Sequence, residues 1–101
     1  MAANGMRFNF EWDPQKAAGN RRKHGISFEL AAGVFKDPNA ISIFDEGHSG
    51  TEERWITLGM AATGALLAVN HTFTASGRDT VVIRLISGRK ATKAEQKQYA
   101  E

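Results

Sequence analysis

Cysteine is absent from the 101-residue chain, which excludes a disulfide framework, a thiolate nucleophile and a cysteine-ligated zinc. Long hydrophobic runs are missing too. The longest, such as Ala65–Val69 and Val81–Ile83, fall far short of the roughly 20 apolar residues a membrane-spanning helix needs. The N-terminal MAANGMRFNF has no apolar core of signal-peptide length. Together these absences predict a water-soluble protein of the cytoplasm. His24, His48 and His71 are scattered, without the H-x-x-x-H or H-x-E spacing that projects metal ligands from one element, so no metal or other cofactor is expected. There is no G-x-x-x-x-G-K-[ST] or G-x-G-x-x-G phosphate loop and no G-x-S-x-G nucleophile elbow.

What is present suits one globular domain. The chain is 42% hydrophobic, 24% charged and 9% aromatic, too apolar for disorder. A loose leader, Met1–Gly5, is expected before a single domain spanning 6–101. The net charge of +2 conceals an uneven distribution. Lys16, Arg21, Arg22 and Lys23 form a basic block with no acid, and Asp37, Asp45, Glu46, Glu52 and Glu53 make an acidic middle with no Lys or Arg. A second basic block follows, with Arg84, Arg89, Lys90, Lys93 and Lys97 against Glu95 alone. Each block by itself reads as a solvated face; the two together favour a polyanionic partner.

The hydropathy pattern predicts a strand over Met6–Phe10, with Met6, Phe8 and Phe10 on one side. Asp13-Pro14 pairs an N-cap acceptor with a proline that suits the first turn, and Gly25 ends that helix near His24. Ser27 opens a second helix, which stops before Asp37-Pro38. Strands are expected at Ala40–Phe44, Arg54–Met60, Leu66–Thr74 and Thr80–Ser87, and Thr92 with Glu95 forms a capping box for a short basic helix ending near Tyr99. Short links between consecutive strands imply an α+β fold: an antiparallel sheet of four to five strands, with its helices on one side.

Arg84 interrupts an apolar strand, so its guanidinium must reach water, a ligand, or a carboxylate such as Glu52 or Glu53. Arg89 and Lys90 sit where the chain is expected to leave the sheet, and both can donate to phosphate oxygens. Lys16, Asn20 and Lys23 share one face of the first helix, either a solvated surface or a ligand platform. His24, at that helix's end, either caps carbonyls or serves as an acid or base. Tyr99 either anchors the last helix or offers a hydroxyl, and Trp12 and Trp55 read as core or contact aromatics.

Several of these residues recur in an ordered pattern. Phe10-x-Trp12-Asp13-x-x-Lys16, Asn20-x-x-Lys23-His24-Gly25, Phe28, Ala31 and Val34-Phe35-x-Asp37 resemble the N-terminal signature of the BrnT toxins. Glu53-Arg54, Gly59 and Arg84-x-Ile86-Ser87-x-Arg89-Lys90-Ala91, with Glu95 and Tyr99, resemble its second half. The similarity runs from Phe8 to Tyr99. One departure is Gly88, where the family more usually has alanine, a change expected to loosen the strand exit before Arg89.

The resemblance implies a RelE-like fold and a toxin of a type II toxin–antitoxin module, a ribonuclease that arrests translation without metal. It also implies a BrnA-like ribbon-helix-helix antitoxin in a 2:2 heterotetramer, with operator DNA bound only through the antitoxin. Metal-free RNA cleavage needs a base for the 2′-hydroxyl, cations for the phosphorane and an acid for the leaving oxygen. On that basis Arg84 and Arg89 are expected to carry transition-state charge, and Lys16, Lys23, Arg54 and Lys90 to hold RNA phosphates. Glu53 is the first candidate base and His24 the second, with Tyr99 as acid or stacking surface. Two other readings stay open: a non-catalytic nucleic-acid-binding module, and an inactive relative that only binds an antitoxin.

Overall fold

The computed structural model describes residues 7–101; the expected leader, Met1–Gly5, and Met6 lie outside them. Strand β1 (Arg7–Glu11) leads into helix α1 (Pro14–His24) and helix α2 (Phe28–Ala32), which tightens into a 3₁₀ turn at Gly33–Lys36. Strands β2 (Ile41–Phe44), β3 (Trp55–Met60), β4 (Leu66–Ala75) and β5 (Thr80–Lys90) follow, and helix α3 (Lys93–Ala100) closes the chain.

The helix ends follow from local chemistry. The Asp13 carboxylate accepts the Gln15 N–H at 2.8 Å, and Gly25 terminates α1 at φ 72° while its N–H bonds the Arg21 carbonyl, a left-handed cap that glycine adopts without a Cβ penalty. Ser27 caps α2 through the Leu30 N–H. In α3 both halves of the Thr92–Glu95 capping box are formed.

The sheet order is β1-β5-β4-β3-β2. Strands β2 to β5 form an antiparallel meander, as short connections require. The sheet as a whole is mixed, however, because β1 runs parallel to β5. The antiparallel expectation fails at β1 for a clear reason: no short link joins it to another strand. Its continuation through α1 and α2 carries the chain to the far edge, leaving β1 free to pair with the last strand.

One face of the sheet, bearing Leu67, Val69, Ile83 and Leu85, packs on Ile26, Phe28, Ala31 and Val34 to form the buried core. Gly59 makes close approach possible there, since a Cβ on it would lie 2.9 Å from Val34 Cβ and from the Val34 carbonyl oxygen. The helices do not share one side. Leu58 and Ala68, paired across β3 and β4, are fully buried on the opposite face, and α3 folds back over them, its Glu95 held by Arg89. Strand β5 also outruns its expected end. It continues through Gly88 to Lys90, so glycine does not loosen this exit.

Candidate active site

Strand β1 accompanies β5 only as far as Arg84, because the chain turns after Glu11 into α1. Past that point no strand among the described residues neighbours β5 on this side. A cleft of about 340 Å³ opens there, at the small end of ligand-binding clefts. Asp13 and Lys16 line it from the start of α1, Arg84, Leu85 and Ile86 from β5, and Glu52 and Arg54 from the loop before β3. Three cations thus face two carboxylates. One of these, Asp13, is already engaged as the α1 cap. The other, Glu52, forms an ion pair with Arg84, and both side chains are a little under half exposed. An exposed pair of this kind is weakly held, so an incoming phosphate can take the guanidinium from it.

The structure brings Arg84, Lys16 and Arg54 together and leaves the other expected site residues elsewhere. Glu53 is exposed beside Glu52 and does not line the cleft; the carboxylate that meets Arg84 is its neighbour. Arg89 makes two near-parallel hydrogen bonds to Glu95, of 2.7 and 3.0 Å. This guanidinium, with the Thr92 N–H and hydroxyl, draws the Glu95 pKa down to about 2 against the opposing effect of burial. Arg89 is correspondingly raised, first by its hydrogen bond to Glu95. Lys90 and Lys23 are exposed, and neither they nor the half-buried His24 line the cleft. Tyr99 donates to Asp37 Oδ2 at 2.5 Å. Asp37 also accepts the Met60 and Asn39 N–H groups, so Tyr99 ties α3 to the loop before β2. That hydrogen bond lowers the Asp37 pKa and raises that of Tyr99.

Two polar residues have unexpected surroundings. Asn20, expected on an open helix face, is the one buried residue of α1. His71 is fully buried, edge-on to Phe35 and Phe73 at ring distances of 4.9 and 4.5 Å. Its Nδ1 faces the Thr72 carbonyl at 3.4 Å, while Nε2 lies 2.6 Å from Thr57 Oγ1, itself 2.8 Å from Ser42 Oγ. A carbonyl can only accept, so Nδ1 carries the proton and Nε2 accepts from Thr57. Burial lowers the His71 pKa to about 4. The alternation Leu67, Val69, His71, Phe73 is the sequence signal that places this ring inside.

Among the described residues, no three His, Asp or Glu side chains gather as metal ligands would, and no helix is long and apolar enough to cross a membrane. A small α+β protein with a mixed five-stranded sheet and an Arg- and Lys-lined cleft at one strand edge has the donors that an anionic ligand such as a phosphate takes.

Comparison with known proteins sharpens that class. The sequence profile of the family described as "Ribonuclease toxin, BrnT, of type II toxin-antitoxin system" matches residues 12–95, and the chain belongs to this family. The crystal structure of the Brucella abortus ribonuclease toxin BrnT superposes with a TM-score of 0.61 at 20% identity, covering 86% of this chain and 100% of that one, which establishes the shared fold. No curated protein matches the chain significantly.

Proposed function

We propose that this chain is the toxin of a type II module and cleaves RNA by attack of a 2′-hydroxyl on the neighbouring phosphate, using side chains alone. The observation that carries the reading is the convergence of Lys16, Arg54 and Arg84 with Glu52 in one cleft.

A scissile phosphate entering the cleft takes Arg84 from Glu52. The freed carboxylate accepts the 2′-hydroxyl proton, the 2′-oxygen bonds to phosphorus, and Arg84 and Arg54 hold the charge that builds on the phosphorane. The bond from phosphorus to the 5′-oxygen then breaks, and that oxygen leaves with a proton from the Lys16 ammonium. The products are a 2′,3′-cyclic phosphate and a free 5′-hydroxyl. The base is assigned to Glu52 in place of Glu53 because Glu52, of the two, meets Arg84. Lys23 and Lys90 are left to contact flanking phosphates. Arg89, His24 and Tyr99 fall outside the reacting centre in this reading; Arg89 acts instead as a strut between β5 and α3.

The same reading takes the fold as RelE-like and the consequence of cleavage as arrest of translation in the cytoplasm. Its partner is a BrnA-like ribbon-helix-helix antitoxin in a 2:2 complex that alone touches operator DNA. Family membership supports an antitoxin and an RNA target.

The test is cleavage of a defined RNA oligonucleotide by the purified chain with chelator present. Products ending in 2′,3′-cyclic phosphate, and resistance of an oligonucleotide carrying a 2′-deoxy sugar at the cut site, are expected. Salt-sensitive binding without any product would instead identify a nucleic-acid-binding module, and a requirement for divalent cation would remove the mechanism.

A further inference from the structure

One buried side chain, that of Asn20, links the two elements that supply Lys16 and Arg84 to the cleft. Beyond Arg84, no strand among the described residues pairs with β5 on its β1 side, and ladder groups left open there need partners. At Gly88 the side-chain amide of Asn20 supplies them. Its Nδ2 donates to the Gly88 carbonyl at 2.9 Å and its Oδ1 accepts the Gly88 N–H at 3.1 Å, the reciprocal pair a neighbouring strand would form. The remaining amide hydrogen goes to the Ile26 carbonyl at 2.9 Å, in the link between α1 and α2. One side chain, 7% exposed, thereby joins α1, the turn after it and β5.

The position of that joint matters. Lys16 lies one helical turn before Asn20 and shares its face of α1. Between Arg84 and Gly88 the pairing with β4 shifts register: Asn70 faces Ser87, His71 faces Leu85, and Ile86 has no opposite number. This bulge forms the β5 wall of the cleft, because Leu85 and Ile86 line it. Bulged strands are locally unpaired and free to twist, and here the first tie after the bulge on the open edge is Asn20. Gly88 leaves no slack in the contact. A Cβ on it would come within 3.1 Å of Ala31 Cβ and 3.5 Å of Ile26 Cγ2.

We infer that Asn20 is a positioning residue: by standing in for the missing strand beside Gly88 it fixes Lys16 of α1 relative to Arg84 on bulged β5, and so sets the separation of the cations that grip the phosphate. The inference rests on the ribonuclease reading of the cleft, but it concerns a side chain that reading does not use.

The test is a double-mutant cycle. Asn20→Asp, isosteric but unable to donate, and Asn20→Ser are each made alone and with Lys16→Ala. Single-turnover cleavage and affinity for a 2′-deoxy, uncleavable oligonucleotide are measured on protein with native circular dichroism. A mispositioned cleft group costs on the order of 10–100-fold, so a loss of about that size is expected in the native background and one of about twofold once Lys16 is gone. Equal losses in both backgrounds, no loss at all, or failure of both variants to fold would make Asn20 a purely structural residue and overturn the inference. If the wild-type chain binds without cleaving, the ribonuclease reading falls, while the affinity cycle still decides the role of Asn20.

Discussion

Arg84 and Arg89 face the same side of the sheet although an odd number of positions separates them along β5. Their partners on β4, Thr72 and Ala68, share a face because β4 alternates regularly, and the bulge at Ile86 restores the parity that β5 would otherwise lose. The two arginines are nonetheless some way apart, since their β4 partners are four residues, or about 14 Å, from each other along an extended strand. Their environments diverge as well: Arg84 holds an exposed carboxylate at the mouth of a cleft, and Arg89 is clamped under α3.

Replacement by alanine should therefore separate the two. Arg84→Ala is expected to fold normally and to lose about 10²–10³-fold in cleavage, the scale for removing one donor to a developing charge. Arg89→Ala leaves Glu95 without its partner and should lower the thermal midpoint on the order of 5 °C, as about 1 kcal/mol does in a domain of this size. Its cleavage per folded molecule should change far less. Melting curves and single-turnover rates on both variants check the contrast, and equal rate losses would mean Arg89 reaches the reacting phosphate.

The neighbouring glutamates offer a second contrast. Glu52→Gln removes the proposed base and should reduce cleavage by about 10²–10⁴-fold. Affinity for an uncleavable RNA should hold or improve, since a negative charge leaves the cleft. Glu53→Gln should leave both quantities near wild type. Cleavage by Glu52→Gln at or above the native rate would show that this carboxylate only occupies Arg84.

Stability should depend on pH in two separable windows. His71 has a folded pKa of about 4 against an ordinary 6.5, so between those values the unfolded chain binds a proton that the folded one does not. The stability from the neutral buried ring is full above pH ~6.5 and is lost as pH falls towards 4, on the order of 3 kcal/mol in all. Glu95, held down to about 2 from 4.5, contributes stability that is present above pH ~4.5 and fades as pH falls through 2. Urea midpoints should decline first across the upper window in wild type. In Glu95→Gln that upper decline should persist while the lower one flattens. A midpoint constant from pH 7 to 4.5 would contradict the burial of His71.

Gly59→Ala tests the core directly. Its new Cβ would sit 2.9 Å from two atoms of Val34 and 3.3 Å from Ala40 Cβ, and overpacking of this kind costs roughly 1–3 kcal/mol. Denaturant unfolding should show that loss, with cleavage by the folded fraction unchanged.

Much of the fold was readable locally. Asp13, Gly25, Ser27 and the Thr92–Glu95 box mark helix ends because caps are satisfied within a few residues of where they stand. The period-two runs of β3, β4 and β5 show for the same reason. Local rules marked β1 as a strand but gave neither its neighbour nor its direction, because its partner lies more than seventy residues away. They also missed the side of the sheet that α3 covers, which depends on where a bulge turns Arg89.

The candidate site divides along the same line. Residue type alone requires that Arg84, set in an apolar strand, reach water, a ligand or a carboxylate, and the family pattern includes Lys16, Asn20 and Arg54 among many other residues that the cleft does not use. Which carboxylate answers Arg84, which arginine is tied up by α3, and whether an asparagine on a polar helix is solvated or locked into a strand edge are questions of distance between segments remote in sequence. Chemistry carried by one residue and its near neighbours is written in the chain. The meeting of charges from α1, β5 and the loop before β3 exists only once the backbone has closed around the bulge at Ile86, because Coulomb and hydrogen-bond energies depend on separation and sequence order does not set it.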